Sequence, residues 1–367
     1  MGPDILPALT AALGGGPAVV PLAADPLQHR QALAVVRPDQ RVEDGVAVVV
    51  ATSGSTGVPK GVMLSAQAIR ASIAATHERL GGPGSWTLAL PTHYVAGLMV
   101  LARTVVAGTR LVSVRSDLSD LEAPASGRAD LPRSYVSLVP TQLVRALVSP
   151  TVTTALAGFD AVLVGGAALD AAVLDRARDR GITVVTTYGM TETCGGCVYD
   201  GRPLAGVDVQ VGPLHDPHGG DISIGGPTLF SGYRLRPDLT TDVLVDGRLR
   251  TSDRGRWHHG RLDILGRRDS VVITGGYNVD LEGVERTAAG LGEDIAIVAL
   301  PDAEWGRVVV AVTAGACSYD DLLDFLRPRL PAYALPRCLV RLAALPRTSS
   351  GKIDRLAIHR QLSGAAA

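Results

Sequence analysis

Val46–Ala51 is a run of six apolar, mostly β-branched residues that empties into the loop Thr52-Ser53-Gly54-Ser55-Thr56-Gly57-Val58-Pro59-Lys60-Gly61. Such a buried strand, followed by a glycine loop and then a helix, restricts the fold to layered α/β architectures with a largely parallel sheet. Ser65 is a suitable N-cap for a helix running to Arg79, and Trp86–Leu90 reads as the next strand. The unit recurs: strand Tyr135–Val139 precedes helix Thr141–Val148, strand Ala161–Val164 precedes helix Asp170–Arg180, and Ile182–Thr186 is again a strand. Between Val207 and Arg267 helical patterning gives way to short strands separated by Gly, Pro and Asp, which predicts a β-rich subdomain. Helical periodicity returns after Gly276 and predicts a small α+β domain. The expected division is a large domain over 1–267 and a small one over 268–367. Residues 1–43, rich in Ala, Pro and Gly, are expected to be loosely packed.

Of 35 basic residues only two are lysines, Lys60 and Lys352, and both fall in glycine-bearing loops. A compact ammonium at two such places, in a chain that otherwise uses arginine, points to phosphate chemistry. The first loop is not of the ATPase P-loop type, because Val58-Pro59 separate Gly57 from Lys60. Its hydroxyls (Ser53, Ser55, Thr56), its glycines (Gly54, Gly57) and Lys60 still suit the terminal phosphates of a nucleotide. The second loop is Pro346-Arg347-Thr348-Ser349-Ser350-Gly351-Lys352-Ile353-Asp354-Arg355.

A formal net charge of −1 gives no global field for nucleic acid or a membrane surface, so an anionic ligand must be held locally. No apolar run approaches the ~20 residues of a membrane span, and the N-terminus lacks a signal-peptide pattern, so the cytoplasm is the expected location. Cys194 and Cys197 form a C-x-x-C, but Cys317 and Cys338 do not complete a zinc-ligand spacing. The first two read as small residues lining a pocket.

In order along the chain, Thr52–Gly61, Tyr188-Gly189-Met190-Thr191-Glu192-Thr193, Thr251-Ser252-Asp253, Gly266-Arg267 and Ser350-Gly351-Lys352 resemble the motifs of the adenylate-forming acyl-CoA synthetase family. Within it, Ser137–Leu143, Gly165–Ala168 and Cys194–Gly201 look most like the branch that ligates o-succinylbenzoate to CoA in menaquinone synthesis. The resemblance implies a large layered α/β domain with a β-rich subdomain, then a small mobile α+β domain. It implies ATP, Mg2+ and CoA, and small-molecule partners without nucleic acid or membrane, and it leaves a homodimer open. By the same resemblance, Thr52–Gly57 and Lys60 hold phosphates, Glu192 binds Mg2+, and Thr191 touches the α-phosphate. Gly165, Gly166 and Ala167 flank the adenine, and Tyr188 stacks on it, with Gly189 and Met190 alongside. Asp253 and Arg267 take the ribose. Lys352 drives adenylation, the small domain turns about Asp269, and Gly275-Gly276 then faces the thiol channel. The family's aromatic–histidine pair is reversed here as His93-Tyr94, so either side chain could line the acid site with Gly195. Arg103 is the candidate for the second carboxylate of such an acid. An acid-CoA ligase for another acid, a carrier-loading adenylating enzyme and a nucleotide sensor without turnover stay as alternatives.

Overall fold

The computed structural model describes residues 5–52, 59–124, 133–212, 219–274, 276–302, 305–347 and 353–364. The chain divides into two compact units, Met1–Gln210 with Ser223–Thr251 and His258–Leu262, and Val211–Ile222 with Ser252–Trp257 and Asp263–Ala367.

The first unit is built on a seven-stranded sheet. Its order is Leu111–Ser113, Ser85–Leu88, Ser134–Leu138, Ala161–Gly165, Val184–Met190, Gly195–Tyr199, Arg202–Pro203. The first five strands pair in parallel and the last two antiparallel. Parallel strands covered on both faces must be apolar throughout, and Val136, Leu138, Val162, Val164 and Val184 accordingly enter one buried core with Leu143, Leu156 and Ala177 from flanking helices. Strand Ser85–Leu88 has Leu111–Ser113 on one side and Ser134–Leu138 on the other, so the chain order reverses there. Open parallel sheets bind ligands beyond the carboxyl ends of their strands at such a switch point.

Ser65 does cap a helix, Ala66–Leu80: its hydroxyl accepts the Ala68 N–H at 3.0 Å, and Gly81 ends the helix in the left-handed region. Helix Val95–Ala107 is buried continuously from Gly97 to Thr104, which explains its almost wholly apolar sequence.

Three expectations are corrected. The first loop does not join a strand to a helix. Lys60–Ser65 is itself a strand, antiparallel to Val46–Thr52 with Lys60 opposite Thr52, and Gly232–Tyr233 pairs on its other side. Gly61 hid a strand whose Val62, Met63 and Leu64 are buried. Residues 1–43 are not loose in their described part, since helices Leu6–Leu13 and Pro26–Val36 carry the fully buried Leu9 and Val36. Nor is Val207–Arg267 free of helix, because Pro237 at the first position and Asp238 in the first turn start one over Pro237–Val243.

A five-stranded sheet runs Asp208–Val211, Gly220–Gly225, Arg248–His258, Leu244–Val245, with Arg261–Arg267 also paired to Arg248–His258. Its strands are divided between the two units. The second unit also holds a hairpin of Val271–Thr274 and Tyr277–Asp280. A further sheet places Ile295–Asp302 antiparallel to Gly306–Thr313, with Cys338–Arg341 parallel to the latter. Helices Leu281–Ala289 and Tyr319–Leu326 cover it through Val284, Ala288, Leu322 and Leu326, and helix Arg355–Gly364 inserts Ile358. Among the described residues no helix is long and apolar enough to cross a membrane.

Candidate active site

The carboxyl ends of the parallel strands carry the motif loops of the first unit. Strand Ser85–Leu88 leads to Pro91–Gly97, strand Ser134–Leu138 to Val139-Pro140, strand Ala161–Gly165 to Gly166, and strand Val184–Met190 to Thr191-Glu192. Gln142 ties these ends together: its amide donates to the carbonyls of Ala89 (3.0 Å) and Ser116 (2.8 Å) and accepts the Val139 N–H at 3.0 Å.

Close backbone approach explains two of the glycines. A methyl group at Gly165 would lie 2.1 Å from Thr187 Oγ1, and one at Gly189 would lie 2.0 Å from the Gly195 carbonyl oxygen. Gly166 and Ala167 lie exposed beyond the strand end, while Tyr188, Gly189 and Met190 are half-buried. Thr193, fully buried, holds the turn after Met190 by accepting its N–H at 3.0 Å and donating to the Gly195 carbonyl at 2.7 Å. That fixes the short 3-10 turn Thr191–Thr193, in which Thr191 is buried and Glu192 half-buried.

Glu192 and Lys60 meet on a residue that sequence reasoning missed. The Tyr233 hydroxyl donates to Glu192 Oε1 at 2.8 Å, and Lys60 Nζ lies 4.8 Å from the centroid of the same ring. Phe230 packs against that ring at 5.0 Å between centroids, and its N–H donates to the Glu192 carbonyl at 2.8 Å. Burial, and then the Glu192 carboxylate, push the Tyr233 phenol up, so it stays protonated and donates. Neither Lys60 nor Glu192 forms an ion pair among the described residues. Thr52, opposite Lys60, donates from its hydroxyl to the Lys60 carbonyl at 3.4 Å.

Arg103 does not face solvent. It is 3% exposed, its guanidinium lies over Trp86 at 4.7 Å, and its one hydrogen bond goes to the Tyr199 hydroxyl at 3.5 Å. Among the described residues no carboxylate pairs with it, and Arg103 Nε, Trp86 Nε1 and His77 Nε2 are all buried without a partner. Burying a cation and polar nitrogens unsatisfied is costly, so such a cluster suits an acceptor-rich guest.

His77 supplies a check on this arrangement. Burial, and then the Arg103 charge, lower its pKa from 6.5 to about 4. A histidine depressed on folding contributes stability that is present above its unfolded pKa and is lost as pH falls through the folded value. Unfolding free energy should therefore drop by on the order of 1–3 kcal/mol between pH 6.5 and 4, and His77→Leu should remove that part of the slope. Urea titrations at several pH values measure it, and an unchanged slope in the variant would contradict the assignment.

His93 and Tyr94 lie against each other at 4.2 Å between ring centroids just before helix Val95–Ala107, with burial lowering the His93 pKa and its Nε2 unpartnered. Gly195 opens the returning strand, with a left-handed backbone. Cys194 and Cys197 are fully buried, and burial raises the Cys194 thiol to about 12, so neither is a ready nucleophile.

In the second unit Arg267 donates to the buried Asp253 carboxylate at 3.2 Å. Asp269 lies in the turn Arg268–Ser270 that follows, and Gly276 in the turn between the hairpin strands. Ser53, Gly54, Ser55, Thr56, Gly57, Gly275 and Lys352 lie outside the described residues. Among the described residues no group of three or more His, Cys, Asp and Glu could cage a metal. The single carboxylate of Glu192 still fits Mg2+, which keeps most of its waters and takes one or two carboxylates together with substrate phosphates.

Glycine-lined strand ends beside a lysine and a carboxylate define a nucleotide-using α/β enzyme. Residues 12–234 match the AMP-binding enzyme family, and residues 291–352 match the C-terminal domain of AMP-binding enzymes. A probable 2-succinylbenzoate–CoA ligase of Mycobacterium tuberculosis is 45% identical over 379 residues, covering 99% of this chain and 96% of its own. The 2-succinylbenzoate–CoA ligase of Bacillus anthracis is 30% identical over 331 residues, covering 84% of this chain and 68% of its own. Among solved structures, the o-succinylbenzoate CoA synthetase of Bacillus subtilis in complex with its acyl-adenylate intermediate superposes with a TM-score of 0.74 at 26% identity, over 88% of this chain and 72% of that one. The chain belongs to the AMP-binding enzyme family and has the adenylate-forming enzyme fold.

Proposed function

We propose that the protein is an ATP-dependent acid–thiol ligase that adenylates o-succinylbenzoate and transfers the acyl group to CoA, a step of menaquinone biosynthesis. The observation that carries the choice of acid is Arg103. o-Succinylbenzoate has two carboxylates, and one must survive adenylation as an anion. A buried guanidinium with no carboxylate of its own is the complement of that anion. The near full-length likeness to a probable 2-succinylbenzoate–CoA ligase supports the same reading.

In the first half-reaction the reacting carboxylate attacks the α-phosphorus and pyrophosphate leaves. Charge that builds on the phosphate oxygens is met by Lys60 at the tail and Lys352 at the reacting end, with Thr191 beside the α-phosphate. Thr52–Gly57 cradle the tail. Gly165, Gly166, Ala167, Tyr188, Gly189 and Met190 hold the adenine, and Asp253 with Arg267 holds the ribose. Mg2+, held by Glu192, would neutralise phosphate charge. In the second half-reaction the CoA thiol attacks the acyl carbonyl and AMP leaves. A thiol pKa of ~8.5 gives some thiolate at neutral pH, so no dedicated base is required. The domain over 268–367 would turn about Asp269 between the steps, exchanging the Lys352 loop for Gly275-Gly276. His93, Tyr94 and Gly195 would line the acid.

Pyrophosphate exchange and AMP release test this. Exchange should require o-succinylbenzoate, and CoA should stimulate AMP release. Exchange without CoA stimulation would instead indicate another thiol acceptor. Glu192→Gln should raise the Mg2+ concentration for half-maximal exchange about tenfold or more. An unchanged Mg2+ requirement would remove Glu192 from the metal.

A further inference from the structure

Lys60 and Glu192 carry opposite charges, touch the same side chain and yet do not neutralise each other. Tyr233 separates them. Its ring face carries the ammonium at 4.8 Å from the centroid, and its hydroxyl holds the carboxylate at 2.8 Å. We propose that Tyr233 is a positioning residue of the reaction, a spacer that keeps the phosphate-binding cation and the metal-binding carboxylate apart and each free for its ligand. The inference rests on the roles proposed above for those two residues.

The ring is itself firmly held. Its backbone N–H donates to Thr240 Oγ1 at 2.8 Å, and its strand pairs with the one that begins at Lys60, Tyr233 opposite Val62. The next residue anchors it further. Arg234 has a fully buried side chain that donates to the carbonyls of Val36, Arg37, Gln40 and Arg41 and to Glu43 Oε2 at 2.6 Å. Its own N–H donates to the Gly61 carbonyl at 2.7 Å, beside Lys60. The hydroxyl cannot drift from Glu192 without disturbing these contacts. Without the spacer, a lysine and a glutamate at this separation would be drawn into an ion pair, and a paired ammonium is a poorer phosphate ligand.

Two substitutions separate the spacer's two contacts. Tyr233→Phe keeps the ring under Lys60 and removes the hydroxyl from Glu192. Mn2+ binding to the enzyme–ATP complex, followed by electron paramagnetic resonance, should weaken about tenfold, while ATP binding in EDTA by calorimetry should stay within about twofold. Tyr233→Leu removes ring and hydroxyl together, and both affinities should fall. In a cycle with Glu192→Gln, the effect of Tyr233→Phe on Mn2+ should vanish, because the hydroxyl acts only through that carboxylate. Unchanged Mn2+ affinity in Tyr233→Phe, or equal losses with and without metal, would overturn the proposal. If Glu192→Gln binds Mn2+ as the parent does, the metal role of Glu192 fails instead, and the spacer has no carboxylate to serve. Thermal melting checks folding. Should Tyr233→Phe unfold, Phe230→Leu, which loosens the wall of the ring, should give a smaller loss of Mn2+ affinity in the same direction, and no loss would overturn the proposal equally.

Discussion

Lys352→Ala is expected to lower adenylate formation by about 10²–10³-fold, the usual effect of removing one preorganised donor from a developing negative charge. Thioester formation from supplied o-succinylbenzoyl-AMP and CoA should be spared. The asymmetry follows from the chemistry of the two steps. Adenylation builds charge on phosphate oxygens, where an ammonium matters most, whereas thiol attack builds it on an acyl carbonyl after pyrophosphate has left. Single-turnover measurements of each half-reaction separate the two, and equal losses in both would contradict the assigned role.

The second large effect is expected at Arg103. Arg103→Leu should raise the KM for o-succinylbenzoate by roughly 30–1,000-fold, the ~2–4 kcal/mol typical of removing one partner of a buried charge pair. The KM for ATP should hardly move. Because Arg103 is 3% exposed and has no carboxylate partner among the described residues, the free protein bears the cost of an uncompensated cation. Arg103→Leu should therefore also raise the melting temperature or leave it unchanged. A variant that unfolds more readily while keeping its KM would make Arg103 a structural residue and leave the second carboxylate without a ligand.

The parallel strands were legible in the sequence because each is a short β-branched run closed by a glycine or proline, as Ala161–Gly165 shows. The motif loops were legible because close backbone approach at Gly165 and Gly189 admits no side chain. Lys60–Ser65 was harder to read. Its partners lie before and long after it in the chain, at Val46–Thr52 and Gly232–Tyr233, and no local pattern records such pairing. Tyr233 escaped for the same reason, since it meets Glu192 and Lys60 only through that sheet. Its neighbourhood, Phe230-Ser231-Gly232-Tyr233-Arg234, contains an aromatic pair around a glycine but nothing that names a ligand. Arg103 was visible as a candidate. Its burial was not, because a single arginine on an apolar helix is equally compatible with a solvent-facing stem. Helix Pro237–Val243 carried a start signal in Pro237-Asp238 that the surrounding turn residues obscured.

The most direct test is a steady-state assay of the purified protein with ATP, CoA and Mg2+, comparing o-succinylbenzoate with benzoate and with succinate. The account predicts acyl-CoA and AMP in equal amounts from o-succinylbenzoate, with kcat/KM at least about a hundredfold above either single-carboxylate-fragment analogue, consistent with one buried charge contact made or lost. Comparable kcat/KM for benzoate, or no acyl-CoA from o-succinylbenzoate, would contradict it.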